Sequence, residues 1–291
     1  MDLARQLGSD IKLVSTSDTE IMGWVIKNST GKNWEEKILS SFDKFQGAFS
    51  MIALAKNKLI AFRDSFGFRP LVLGRLNGSY IVCSETCALD TVGAKYVRDI
   101  APGEVITIDD LGVKVIGKVK SVKKRFCLFE YVYLARPDSI FNKQLVHQVR
   151  QRSGEILANE SPIGADLVVA VPDSGTSAAI GYSKASGIPY GEVLIKNRYI
   201  GRTFIQPEQH IREMGVKLKF NPLKEVVKGK RIIIVDDSIV RGTTIKKIVK
   251  MLRNCGAKKI HIRVCSPPIT DPCYFGIDTP DKKQLIASHM T

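Results

Sequence analysis

Four consecutive apolar residues, Ile232 to Val235, run directly into two acids, Asp236 and Asp237, and then into the loop Ser238-Ile239-Val240-Arg241-Gly242-Thr243-Thr244. An unbroken apolar run of this length predicts a strand buried on both faces, as in a parallel sheet. A helix should follow, because Ile245, Ile248, Val249 and Leu252 fall at i, i+3, i+4 and i+7 while Lys246, Lys247, Lys250 and Arg253 point elsewhere. Gly256 suits the stop of that helix, and KKIHIRVCS reads as the next strand. Upstream, helical stretches around 143–160 and 176–186 alternate with the runs LVVAV and VLIK. Alternation of this kind predicts an α/β domain with a parallel sheet and helices on both faces.

The first part of the chain has another rhythm. Residues 45–120 hold the short runs AFSMIALA, KLIAFRD, LVLGRL, SYIVCSE and GEVITIDD, separated by Gly, Asn or Asp. This is an antiparallel pattern, with a helix predicted over residues 34–44. The basic stretch VKSVKKR reads as an exposed linker. The expected organisation is therefore an α+β domain over 1–120 and the α/β domain over 121–291.

Composition narrows the field. The 291 residues are 44% hydrophobic and 25% charged, values of a globular protein long enough for two cores. No apolar run reaches transmembrane length and the first residues do not form a secretory signal, so a cytoplasmic protein with no membrane partner is expected. The net charge of +15 would suit nucleic acid, but the Lys and Arg residues are dispersed and no motif that reads bases is present. A substrate carrying several phosphates is the better match. Cys83, Cys87, Cys127, Cys255, Cys265 and Cys273 show no disulfide framework in a chain this long.

Paired acids at the carboxyl end of a parallel strand lie where open α/β sheets bind ligands. They could equally form an Asx turn or a helix cap. The loop behind them supplies small and hydroxylated residues at a helix start, where free amides suit a phosphate. Together they suggest a sugar-phosphate site. DLVVAVPDSGTS at 166–177 repeats the design, and its loop would converge with the first one if the two strands are neighbours; Asp173 or Ser174 could instead cap the following helix. Residues 195–220 lack periodicity, and their basic residues Lys196, Arg198 and Arg202 would serve a lid over a polyphosphate. A solvated surface loop is the alternative.

DSIVRGTT, NRYIGRTFIQP, FEYVYLARPDS at 129–139 and YFGIDTP at 274–280 resemble the glutamine phosphoribosylpyrophosphate amidotransferases, and the resemblance covers nearly the whole chain. It implies a phosphoribosyltransferase fold preceded by an N-terminal-nucleophile glutaminase domain. It also implies the first committed step of purine synthesis, in which nitrogen from glutamine displaces pyrophosphate from phosphoribosyl pyrophosphate (PRPP). By the same resemblance, Asp236 and Asp237 hold the ribose hydroxyls and Mg²⁺, and Ser174 serves the metal and pyrophosphate side. Ser238, Ile239, Val240, Arg241, Gly242, Thr243 and Thr244 wrap the 5′-phosphate. Lys196, Arg198, Tyr199 and Arg202 belong to the loop that orders over PRPP. Purine nucleotides as inhibitors and a homo-oligomer are further implications.

The chain also departs from that pattern. It begins Met1-Asp2 and its first cysteine is Cys83, whereas the family's glutaminase starts on a catalytic cysteine. The catalytic part of that domain is expected upstream of residue 1, which leaves Asp18 as a remnant of the glutamine site, an incomplete antiparallel core and a chain dependent on free ammonia. Cys127 and Cys273 match two of the four ligands of a [4Fe-4S] cluster; the other two are expected in a tail beyond residue 291. A PRPP-binding regulator without catalysis and an inactive remnant are the competing readings.

Overall fold

The computed structural model describes residues 11–120, 123–197, 220–277, 279 and 281–289. It divides into two compact units, Met1–Cys127 with Tyr274–Ile277, and Leu128–Cys273 with Asp278–Thr291.

In the first unit, α1 (Asp18–Lys27) starts where the Ser17 hydroxyl accepts the Thr19 N–H, with Asp18 and Glu20 in its first turn. Helix α2 (Trp34–Ser41) starts at Asn33, whose side-chain oxygen accepts the Glu36 N–H at 2.9 Å. The strands that follow are β1 (Ser50–Ala55), β2 (Lys58–Arg63), β3 (Val72–Leu76), β4 (Ser79–Cys83), β5 (Lys95–Asp99), β6 (Glu104–Asp109) and β7 (Gly112–Lys118), with α3 (Thr86–Val92) before β5. All pair antiparallel, in the orders β1-β2-β6-β7 and β4-β3-β5. The turn between β3 and β4 is Asn77-Gly78, both at positive φ, which gives the twist a two-residue hairpin needs.

Alternation along β2 sends Ile60 and Phe62 into a cluster with Ile26, Ile38 and Phe42, while Ala61 joins Leu71, Leu73 and Ile100 on the other face. The first sheet is thus covered on both sides. Beyond β2, the Arg63 guanidinium donates to the carbonyls of Arg69, Ile100 and Gly67, and the buried Asp64 carboxylate accepts the N–H groups of Phe66 and Gly67. These bonds freeze the turn at 64–69. Phe275 stacks on Phe68 at 4.4 Å, tying residues 274–277 to this unit.

The second unit contains the hairpin β8 (Ile140–Phe141) and β9 (Gln144–Leu145), then α4 (Val146–Glu160), β10 (Leu167–Ala170), α5 (Thr176–Ser186), β11 (Leu194–Lys196), β12 (Phe220–Pro222), α6 (Lys224–Val227), β13 (Arg231–Asp236), α7 (Thr243–Asn254) and β14 (Lys259–Val264). Its sheet runs β10-β13-β14, all parallel, with the continuous apolar strand β13 in the middle. Ile232 and Ile234 pack with Ile245, Ile248 and Leu252 of α7. Ile233 and Val235 pack on the other face with Ala158 of α4 and with Ala178, Ala179 and Tyr182 of α5. Helix α7 ends as its sequence predicts. Gly256 sits at φ +86°, its N–H donates to the Arg253 carbonyl, and the Ala257 N–H donates to the Leu252 carbonyl, which together make a Schellman motif.

One expectation fails in detail. The run VLIK, read as part of the parallel sheet, forms β11 and pairs antiparallel with β12 in a separate two-stranded sheet. Ile195 is 41% exposed, so this run lacks the double-faced burial that a strand of the parallel sheet has. Among the described residues no helix is long and apolar enough to cross a membrane.

Helices α4 and α5 approach so closely that a Cβ on Gly154 would lie 1.8 Å from the Ala178 carbonyl oxygen, and one on Gly181 would lie 1.9 Å from that of Gln151. Gly154→Ala and Gly181→Ala should each lower the unfolding free energy by about 1–3 kcal/mol or more, the cost of overpacking against backbone. Gly23→Ala on α1, where the added Cβ meets nothing within 4 Å, should be neutral or stabilising by up to about 1 kcal/mol. Urea denaturation of the three variants would check this order.

Candidate functional site

Parallel pairing of β10 with β13 places Ala170 opposite Val235, so both strands release their loops at the same edge. The loops touch. The Ser174 hydroxyl donates to Asp237 Oδ1 at 2.5 Å, and the Ser238 hydroxyl donates to Asp237 Oδ2 at 2.6 Å. Asp236 Oδ1 accepts the Asp237 N–H at 2.9 Å. The two acids are only 6% and 8% exposed. Burial first, and the neighbouring Asp237 charge second, push the Asp236 carboxyl well above the usual carboxylate range.

Each loop opens a helix without a side-chain cap. For α7 the capping position is Gly242, at φ +72°, a conformation that L side chains rarely adopt. Among the described residues the N–H groups of Thr243, Thr244 and Ile245 have no acceptor, so this helix start is open to an anion. Arg241 and Thr243 are exposed, and Ser238, Ile239, Val240 and Thr244 are half-buried. For α5 the capping position is Gly175, so neither Asp173 nor Ser174 caps it through its side chain. Lys196, at the end of β11, forms an ion pair with Asp173 and so stands beside this second loop. Arg198, Tyr199 and Arg202 lie outside the described residues.

Sequence reasoning missed three supports of the site. Residues 281–289 brace the loop after the acids: the Ile286 N–H donates to the Val240 carbonyl at 2.9 Å and Arg241 Nε donates to Gln284 Oε1 at 2.8 Å. Cys265 and Ser266, just beyond β14, donate their N–H groups to the carbonyls of Asp236 and Asp237, clamping the acids from behind. Burial, with the charges of both acids, pushes the Cys265 thiol up to about 12. The third is a hydrogen bond between His147 and Ser177, which joins α4 to α5. None of these carries a local signal, since each depends on segments distant in sequence. Within this unit, Tyr131, Arg150, Ser174, Asp237 and Cys265 border a cavity of about 100 Å³.

The carboxylates of Asp236 and Asp237 with the Ser174 hydroxyl form an all-oxygen donor set. That set fits Mg²⁺, which takes one or two carboxylates and completes its shell with water and phosphate. Cys127 and Cys273 are two of the four thiols a [4Fe-4S] cubane requires, both are half-buried, and among the described residues no group of three or more His, Cys, Asp or Glu that could hold a metal gathers. Asp18 is exposed in the first turn of α1.

Comparison with known proteins gives this geometry a family. Residues 138–267 match the phosphoribosyl transferase domain and residues 1–91 the glutamine amidotransferase domain. The amidophosphoribosyltransferase of Synechocystis sp. is 50% identical over 283 residues, which are 96% of this chain and 57% of that protein. That of Mycobacterium tuberculosis is 50% identical over 94% of this chain and 52% of its own length. The B. subtilis glutamine PRPP amidotransferase, solved with ADP and GMP, superposes with a TM-score of 0.90 at 45% identity, over 99% of this chain and 64% of that one. The chain belongs to the amidophosphoribosyltransferase family. It spans between half and three-fifths of the length of these two curated relatives. The α/β unit with its parallel sheet is the family's phosphoribosyltransferase fold, and the antiparallel unit belongs to its glutamine amidotransferase fold.

The raised Asp236 carboxyl has a consequence for stability. A carboxyl raised on folding stabilises the folded state below its unfolded value of about 3.9, and that contribution is lost as pH rises through the folded value. Asp236→Asn should therefore be more stable than the unaltered protein at pH 8 in the presence of a chelator, and the gap should close toward pH 4. Thermal unfolding from pH 4 to 8 measures this; a variant less stable at pH 8 would contradict the assignment.

Proposed function

We propose that this chain binds PRPP at the carboxyl ends of β10 and β13 and transfers its phosphoribosyl group to ammonia, releasing pyrophosphate and forming 5-phosphoribosylamine. The observation that carries this reading is the Ser174–Asp237 hydrogen bond, which joins two uncapped helix starts across a buried acid pair. In this arrangement Asp236 and Asp237 hold the ribose hydroxyls and, with Ser174, Mg²⁺. The amides and hydroxyls of residues 238–244 hold the 5′-phosphate, and the 173–177 loop with Lys196 takes the pyrophosphate. Arg198, Tyr199 and Arg202 complete the enclosure.

The chemistry asks little of a nucleophilic side chain. As the bond from C1 to pyrophosphate breaks, positive charge develops on the ribose and negative charge on the leaving group; the amine lone pair then forms the C1–N bond and the nitrogen sheds a proton. Asp236, Asp237 and Ser174 would hold Mg²⁺, whose charge would offset that of the leaving group. The chain's own residues hold ribose and phosphates in line, supply donors to the pyrophosphate and exclude water, which would otherwise consume the ribosyl cation.

In longer members of the family nitrogen comes from glutamine. The nitrogen that reaches C1 is proposed to be ammonia, free or released from glutamine, with Asp18 as part of a glutamine site. The nucleotides named with the B. subtilis structure support purine nucleotides as inhibitors, and the proposed assembly is a homo-oligomer.

Pyrophosphate release from PRPP should require both Mg²⁺ and ammonia, and Asp236→Ala or Asp237→Ala should reduce it by at least about a hundredfold, as loss of a transition-state charge contact does. Release that persists without any amine source would refute the assignment. PRPP binding without turnover would mark a sensor or a remnant.

A further inference from the structure

We infer that His147 is a positioning residue for the anion-binding end of α5: it holds the Ser177 hydroxyl away from the helix start and keeps the amides there free for the pyrophosphate. This rests on the reading of the 173–177 loop as the pyrophosphate side.

Ser177 is buried in the first turn of α5. Serine hydroxyls near a helix start compete for nearby backbone groups, most effectively from the capping position, which Gly175 occupies here. The Ser177 Oγ lies 2.9 Å from His147 Nδ1 instead. His147 is held in turn, since it is the second residue of α4 and its own N–H donates to the Pro137 carbonyl at 2.8 Å. The packing of α4 on α5 through Gly154 and Gly181 leaves no slack between the helices.

The effect shows in the amides. Gly175 donates to the Val171 carbonyl and Thr176 to the Asp173 carbonyl, while among the described residues the N–H groups of Ser174, Ser177 and Ala178 have no acceptor. A Ser177 hydroxyl released from His147 would become an internal competitor for these donors. The bland alternative is an ordinary bond between two helices that contributes only stability.

The two are separable by steady-state kinetics on the full chain, with PRPP as substrate and inorganic pyrophosphate as inhibitor. His147→Ala should raise both the KM for PRPP and the inhibition constant of pyrophosphate about fivefold, the scale of one neutral hydrogen bond, with kcat within about twofold. His147→Asn, whose amide falls near the Nδ1 position, should restore both constants. In a Ser177→Ala background His147→Ala should add nothing, because the competitor is gone. Should His147→Ala fail to fold, His147→Gln, whose amide reaches the Nε2 position, should behave as the alanine variant is expected to. Unchanged constants, absence of rescue by Asn, or additive effects in the double variant would overturn the inference. An unaltered chain that does not bind PRPP would overturn the site assignment itself, and this inference with it.

Discussion

The site depends on the register between β10 and β13. With Ala170 opposite Val235, the chain after each strand emerges at the same level, and the Ser174 hydroxyl reaches Asp237 directly. A slip of one residue would turn Asp236 and Asp237 onto the opposite faces and separate the loops. What prevents the slip is the apolar run itself. Ile232 and Ile234 fill one core while Ile233 and Val235 fill the other, so each apolar side chain of β13 is tied to helices on its own side. The core of the α/β unit is therefore also the alignment device of its site.

That alignment places groups where they oppose folding. A carboxyl raised by burial and by its neighbour and two helix starts without side-chain caps are each unfavourable in the ligand-free state. They persist because surrounding contacts over-determine them: the clamp from Cys265 and Ser266, the brace from residues 281–289, and the helix pair α4 and α5. The proposed ligand, with two phosphate groups and a divalent cation, would relieve both at once, and such features cluster at binding sites.

The sequence made the central strand, the acid pair and α7 plain because their signals are local: an apolar run, two charges, a 3.6-residue period and a glycine stop. The helices at 146–160 and 176–186 were legible for the same reason. VLIK was misplaced because a short apolar run carries no information about its partner, and only the alternating burial of Leu194 and Ile195 distinguishes it. The supports of the site were invisible. His147 and Ser177 are 30 residues apart, and Arg241 and Gln284 are 43 apart. Arg63 and Asp64 read as the polar end of a strand, yet they hold the 64–69 turn of the antiparallel unit from within.

The large positive charge of the chain acts on this site only locally. At physiological ionic strength the field of an exposed lysine decays over about 8 Å, so charges dispersed over the surface add little at the acid pair. The cations that matter are those held against the loops, Arg241 by Gln284 and Lys196 by Asp173. The latter pair is 34% and 72% exposed, and bonds of that kind contribute about 0–1 kcal/mol. Lys196 can therefore exchange Asp173 for a polyphosphate oxygen at little cost. The ion pair keeps the lysine beside the loop without competing seriously for it.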